Sequence, residues 1–208
     1  ASMARNRTIK LCSHWVARLA GVALLLSASM AQAGLITLDV TGVTSNGQLG
    51  SAGNTVLTVD LNQALGTTAG SEVTITGIGW DVVISTLGFS WIDEALVEFQ
   101  DTSGNGLLVL RPGLGDDRSG TETFSSGGIF DLVASGIEVV LNKGILVLEF
   151  AEEFSDNDGT DAVWGAAAST ANAVNAFSAL NDVPPQTSTL TLEVSVDGIG
   201  VPAPGTLV

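Results

Sequence analysis

Glu72 to Ser85 reads EVTITGIGWDVVIS, and this stretch constrains the fold more than any other. Val73 and Ile75 share one parity, whereas Ile78, Trp80, Val82 and Ile84 share the other. Apolar residues at every second position mark a strand with a buried and a wet face. A change of parity within such a run needs an extra or bent residue. Gly77 and Gly79 sit at the switch, where a bulge or sharp bend is cheap. The segment is therefore expected to be a strand that turns a corner between two sheets. Its glycines do not form a phosphate-binding loop, because strand residues rather than a helix follow them.

The same period recurs along the chain. Leu35–Val40 alternates Ile36, Leu38 and Val40 against Thr37 and Asp39, and Thr55–Leu61 alternates Leu57, Val59 and Leu61 against Thr58 and Asp60. Between them Thr44–Asn54 is rich in turn residues. Trp91–Phe99 places Ala95, Val97 and Phe99 on one side, and a hairpin-like turn, Asp101–Gly106, leads into Leu107–Leu110. Arg111–Gly128 reads as a long polar loop, followed by short strands at Ile129–Val133, Ile137–Leu141 and Ile145–Phe150. Leu190–Val196 alternates without a fault. The 166–180 segment suits a short helix or a long excursion loop, stopped by Asn181-Asp182 and Pro184-Pro185. Eight or nine short strands separated by glycine-rich turns predict an all-β chain, a single antiparallel β-sandwich or jelly roll over residues 34–200. No repeat of 20–50 residues argues for a propeller or β-helix.

The N-terminus carries a different signal. Ala1-Ser2 precede Met3 and read as a cloning remnant. Arg5, Arg7, Lys10 and Arg18 form a basic region, Leu19–Ala28 a short apolar core, and Ala31-Gln32-Ala33 a cleavage site. This pattern predicts a secretory signal peptide over 1–33; the apolar run is about half the roughly 20 residues that span a bilayer. The expected mature chain keeps three basic residues, Arg111, Arg118 and Lys143, against all 22 acidic ones, a net charge of 3 − 22 = −19. The only cysteine (Cys12) and the only histidine (His14) leave with the signal. That excludes disulfides, Ser-His-Asp and Cys-His nucleophile systems, and zinc or haem ligation of the usual kind. The charge disfavours nucleic acid and anionic membranes as partners. Carboxylate chemistry, hard cations, neutral partners such as glycans, or a purely structural role remain.

At the other end, Val201-Pro202-Ala203-Pro204-Gly205-Thr206-Leu207 follows the last strand. These residues resemble the opening of the PEP-CTERM sorting signal, in a variant with alanine in place of the central glutamate. In that family the motif leads into a transmembrane helix and a terminal arginine cluster read by an exosortase. The resemblance implies that residues 201–208 begin a truncated sorting anchor and that the membrane is met only transiently, through the missing helix. It also implies a destination at the surface or extracellular matrix of a diderm bacterium, with a structural or adhesive role in exopolysaccharide or biofilm. Extracellular polysaccharide and surface proteins are the partners it suggests. A weaker likeness, over about fifty residues, is to the jelly-roll P-domain of secreted subtilases, which also end with an Asp/Gly loop, a tryptophan and a closing strand.

One loop is chemically dense. Ala151–Asp161 (AEEFSDNDGTD) carries five carboxylates in eleven residues. Calcium takes six to eight oxygen ligands from acidic side chains and carbonyls on a tightly turning chain. Asp156, Asp158 and Asp161 offer such ligands, Gly159 allows the turn, and Glu153 and Asn157 can add to them. The spacing is not that of an EF-hand, and the bland alternative is a solvated acidic turn, with Arg111 or Arg118 as pairing partners. Asp116-Asp117 is a second, weaker candidate. Trp80 shares the parity of a core face, whereas Trp164, beside the acidic loop, is the expected stacking platform for a sugar in a calcium-assisted carbohydrate-binding module. Glu149 and Glu193 are the outward carboxylates that a glycoside hydrolase would need to bring together; an enzyme is the least expected of the three readings.

Overall fold

The computed structural model describes residues 33–156, 159–165 and 187–196. The expected signal peptide, Asn157 and Asp158, the helix-or-loop segment 166–180 and the C-terminal motif lie outside the described residues.

Twelve strands and one short helix make up the described chain: β1 (Ala33–Asp39), β2 (Val43–Ser45), β3 (Thr55–Asp60), α1 (Leu61–Leu65), β4 (Val73–Thr86), β5 (Ala95–Gln100), β6 (Gly106–Leu110), β7 (Thr121–Ser125), β8 (Phe130–Asp131), β9 (Val139–Leu141), β10 (Ile145–Glu152), β11 (Ala162–Trp164) and β12 (Thr189–Val196). They form two antiparallel sheets. One runs β1-β12-β4-β11-β2, with β7, β8 and β9 along the far side of β4; the other runs β3-β10-β5-β6. The fold is thus an all-β sandwich, as the alternation predicts. The strand count exceeds the expected eight or nine because three short pieces carry no period-two signal. These are β2 in the turn-rich stretch, β11 after the acidic loop, and β7 (TETFS), whose mainly polar residues read as loop.

β4 is the spine of the larger sheet. Along one edge it pairs with β12 (Val73 to Asp81) and then β11 (Ile84 to Thr86); along the other it pairs with β9, β8 and β7 in turn. The parity switch read from the sequence is real, but its cause is local. Glu193 pairs with Gly77 and Val194 with Ile75, so Thr76 is the extra residue of a bulge. The expected corner between sheets does not form; β4 stays in one sheet along its whole length. Gly77 and Gly79 serve a different purpose. A Cβ on Gly77 would overlap Ile129, and one on Gly79 would lie 2.9 Å from the carbonyl oxygen of Gly128. Their bareness lets the β7–β8 connection lie flat on the sheet.

The core is the alternation made solid. Ile78, Val82 and Ile84 from β4, Ala95, Val97 and Phe99 from β5, Leu146, Leu148 and Phe150 from β10, and Leu190, Leu192 and Val194 from β12 are all buried. A strand with one face fully covered cannot slip by one residue without exposing that whole set. The single helix among the described residues is α1 at Leu61–Leu65, where Asp60 caps its N-terminus by accepting from the Gln63 amide at 3.0 Å.

The direction of β4 and its partners defines two poles. Ala33, Val73, Leu141 and Val196 lie at one, since Ala33 pairs with Ser195 and Val73 with both Val196 and Leu141. Thr86, Ser45, Ala162 and Glu152 lie at the other, with the loops 46–54, 87–94, 111–120 and the acidic stretch from Glu153.

Candidate functional site

The acidic loop opens from the end of β10, and the strand's own parity makes the site. Leu146, Leu148 and Phe150 point into the sandwich, and Glu152 continues the same inward series at its open pole. Its side chain is buried, at 1% exposed. The Ser45 hydroxyl donates to one oxygen and the Ser90 hydroxyl to the other, at 3.2 Å. Ser90 also stands 3.5 Å from Glu94, which accepts from the Trp91 amide at 3.1 Å. Glu94 and Asp161 are buried as well. Among the described residues no basic side chain forms an ion pair with Glu152, and the neighbouring charges that raise it are the carboxylates of Asp161 and Glu94. Burial, helped by those two like charges, pushes Glu152 up to about 8 against the pull of the two hydroxyls. Burial raises Glu94 too; the Trp91 amide opposes that, and Asp156 adds to it.

Around this centre the loops are stitched by main-chain bonds. The Glu153 amide donates to the Glu94 carbonyl (3.0 Å), Ile92 to Arg118 (2.9 Å), Leu87 to Asp161 (2.8 Å) and Glu152 to Gly47 (2.8 Å). Arg111 clamps the rim: its Nε and Nη2 donate to the Asp93 carbonyl at 3.0 and 2.6 Å, and Nη2 also pairs with the Glu153 carboxylate. Asp93 is held above the usual carboxylate range, first by burial and then by Asp117, which faces it, with Arg111 opposing.

The expected calcium ligands therefore separate. Asp161 is fully buried beside Glu152, and Asp156 is exposed but lies near enough to Glu94 to raise it. Glu153 is turned away from them into its ion pair with Arg111. Asn157 and Asp158 lie outside the described residues. Among the described residues no three acidic side chains converge closely enough to form a ready metal-binding group. In the second candidate pair, Asp116 is taken by Arg118 (2.7 Å), which also reaches Glu122 (2.8 Å). It is thus Arg111, not Arg118, that pairs with the acidic loop.

Two expectations are corrected. Trp164 is not a stacking platform. Its side chain is 0% exposed, and its ring meets Phe150 edge-on, centroids 5.2 Å apart at 81°. As the last residue of β11 it pairs with Val43 on one side and Ile84 on the other, and its inward parity puts the indole in the core. Glu149 and Glu193 cannot face one substrate. They belong to different sheets, each next to inward-facing neighbours, so they point away from the sandwich on opposite sides. Glu149 is in fact nearly buried. Loop 46–54 folds over it, and its carboxylate accepts from the Gly50 amide (2.6 Å) and the Asn54 amide group (2.8 Å).

The sequence reading missed Glu94 and Glu152. For Glu152 a signal existed, because it occupies the inward position of its strand. Glu94 lies in a single 3-10 turn, Ile92–Glu94, with no period to read. Trp91, expected within a strand, precedes that turn and is 47% exposed.

No family model matches the chain, and no curated protein does. Among solved structures, the VP2 subviral particle of infectious bursal disease virus is similar over 79% of this chain and 33% of its own, at 12% identity and a TM-score of 0.34. A T=1 particle derived from the same virus is similar over 79% and 35%, at 10% identity and a TM-score of 0.33. The chain spans about a third of the length of these structures.

Proposed function

We propose that this protein is a secreted surface or extracellular-matrix component with a structural or adhesive role, whose loop-bearing pole is fastened by calcium. The observation that supports the cation is the burial of Glu94, Glu152 and Asp161 at one pole, with no ion pair to Glu152 among the described residues. A buried carboxylate without a counter-charge is costly, and either a proton or a cation relieves it. Secretion and the matrix role rest on the N-terminal pattern and on the resemblance to PEP-CTERM proteins.

The donors present are all hard oxygens, which suits calcium rather than a softer metal. The ligands proposed are Glu94, Glu152, Asp156 and Asp161, which stand near one another without forming a ready metal-binding group, and Glu153 is left out because Arg111 holds it. Binding draws these groups together and displaces the proton from Glu152.

The test is thermal unfolding of the purified protein at pH 7, in chelator and then in millimolar calcium. Saturation at about a hundredfold over Kd adds roughly 2.7 kcal/mol, a rise of about 5–10 °C for a domain of this size. The rise is expected to vanish in Glu152→Gln and to be smaller with magnesium. No rise in the parent protein, with the fold intact, overturns the calcium centre.

A further inference from the structure

Deepening the reading of a matrix protein, we infer that the pole carrying Phe89, Trp91, Leu114 and Phe154 is a docking surface for a polysaccharide bearing free amino groups. Of the four exposed aromatic side chains among the described residues, Phe89, Trp91 and Phe154 lie here, and only Phe130 lies elsewhere. They are strongly exposed: Phe89 at 82%, Phe154 at 55% and Trp91 at 47%, beside Leu114 at 71%. These residues come from three loops, 87–94, 111–120 and the segment from Glu153, which the Ile92–Arg118 and Glu153–Glu94 main-chain bonds and the Arg111 clamp hold together. Exposed apolar side chains gathered on one rigid rim mark an interaction surface.

Charge selects the occupant. The rim carries Asp93, Asp116, Asp117, Glu153 and Asp156. Its two cations among the described residues are already engaged, Arg111 with Glu153 and Arg118 with Asp116 and Glu122, which leaves Asp117 and Asp156 as the exposed carboxylates outside these ion pairs. An anionic lipid surface or an acidic polymer is repelled by such a rim, whereas a cation is attracted by both its carboxylates and its aromatic faces. An amino-sugar polymer presents ammonium groups to the carboxylates and flat C–H ring faces to Trp91 and Phe89. A basic peptide matches the charge equally but lacks the flat ring faces, and it docks best where main-chain pairing is on offer. The loop amides of Ile92, Glu153 and Leu87 and their carbonyl partners are spent on each other, so the rim offers little main-chain pairing to an extended strand.

The test is titration calorimetry at pH 6 with three probes: a deacetylated chitin oligosaccharide, its fully acetylated counterpart, and oligolysine of matched charge. Binding of the deacetylated sugar is expected, weakening with salt and falling about tenfold in Trp91→Ala. Equal binding of the acetylated sugar, oligolysine binding as tightly as the amino sugar, or no change in Trp91→Ala each overturns the proposal. Running the sugar titration in chelator and the melting curves with and without calcium separates the two readings: sugar binding without a calcium-induced rise overturns only the calcium centre, and a calcium-induced rise without sugar binding overturns only the docking surface.

Discussion

The hydroxyl of Ser90 stands 3.2 Å from Glu152 and 3.5 Å from Glu94, so one neutral group with a single proton to donate lies between two buried carboxyl groups. It separates the two without supplying a charge. Protons or a cation must then make up the difference.

In chelator, stability is expected to fall as pH rises. Glu152 ionises near 4.5 when unfolded and near 8 when folded, so between those values the native state holds a proton that the unfolded chain has released. The resulting stabilisation is complete below about pH 4.5 and is lost as pH climbs through 8. A tenfold gain in proton affinity on folding is worth about 1.4 kcal/mol, which sets an upper bound of roughly 4–5 kcal/mol for this carboxyl group. Melting curves at pH 5.5 and 8.5 read the slope, and Glu152→Gln is expected to flatten it. A parent protein more stable at pH 8.5 in chelator contradicts this account.

Arg111 and Arg118 are expected to differ. Arg111 makes charge-assisted bonds to a main-chain carbonyl and to Glu153 from a half-buried position, and Arg111→Ala is expected to cost about 1–3 kcal/mol. Arg118 is mostly exposed, so Arg118→Ala is expected to have the smaller effect, close to none. Denaturant midpoints at 0.15 M salt compare the two.

Trp164→Ala is expected to cost about 3–5 kcal/mol, the range for removing a large buried ring, together with the edge-on contact to Phe150. A milder Trp164→Phe variant that remains folded is expected to leave any sugar affinity unchanged. Loss of binding in a folded Trp164→Phe would restore that residue to the site.

Gly165 follows at once, with φ of +105° and space for no side chain. A Cβ there would lie 2.7 Å from the Thr41 Cα and 2.9 Å from the Gly42 nitrogen, both backbone atoms that cannot swing aside. Gly165→Ala is therefore expected to destabilise by at least about 2 kcal/mol. Gly104→Ala shares the positive φ but meets nothing within 4 Å, and should cost about 1 kcal/mol. Thermal midpoints of the two variants give the comparison.

The strands that face a dry core were legible because alternation is a direct record of burial. β12 and β10 are legible almost to their ends, and the alternation in β4 records the parity switch without recording its cause. A bulge and a corner leave the same trace in one strand; only the partner's register, Glu193 against Gly77 and Val194 against Ile75, tells them apart. The site was half legible. The acidic loop announced itself by density, yet the groups that give it depth, Glu94 and Glu152, lie on a turn and a strand where no cluster marks them. Trp164 is buried despite its place beside the charged loop, because nearness in sequence says nothing about which way a strand residue faces.

β4 runs fourteen residues from one pole to the other, about 45 Å at a strand's rise per residue. β1 begins and β12 ends beside its first residue, while the aromatic rim sits beyond its last. Whatever meets the aromatic rim therefore does so at the far end of the sandwich from Ala33 and Val196, with the full length of β4 between them.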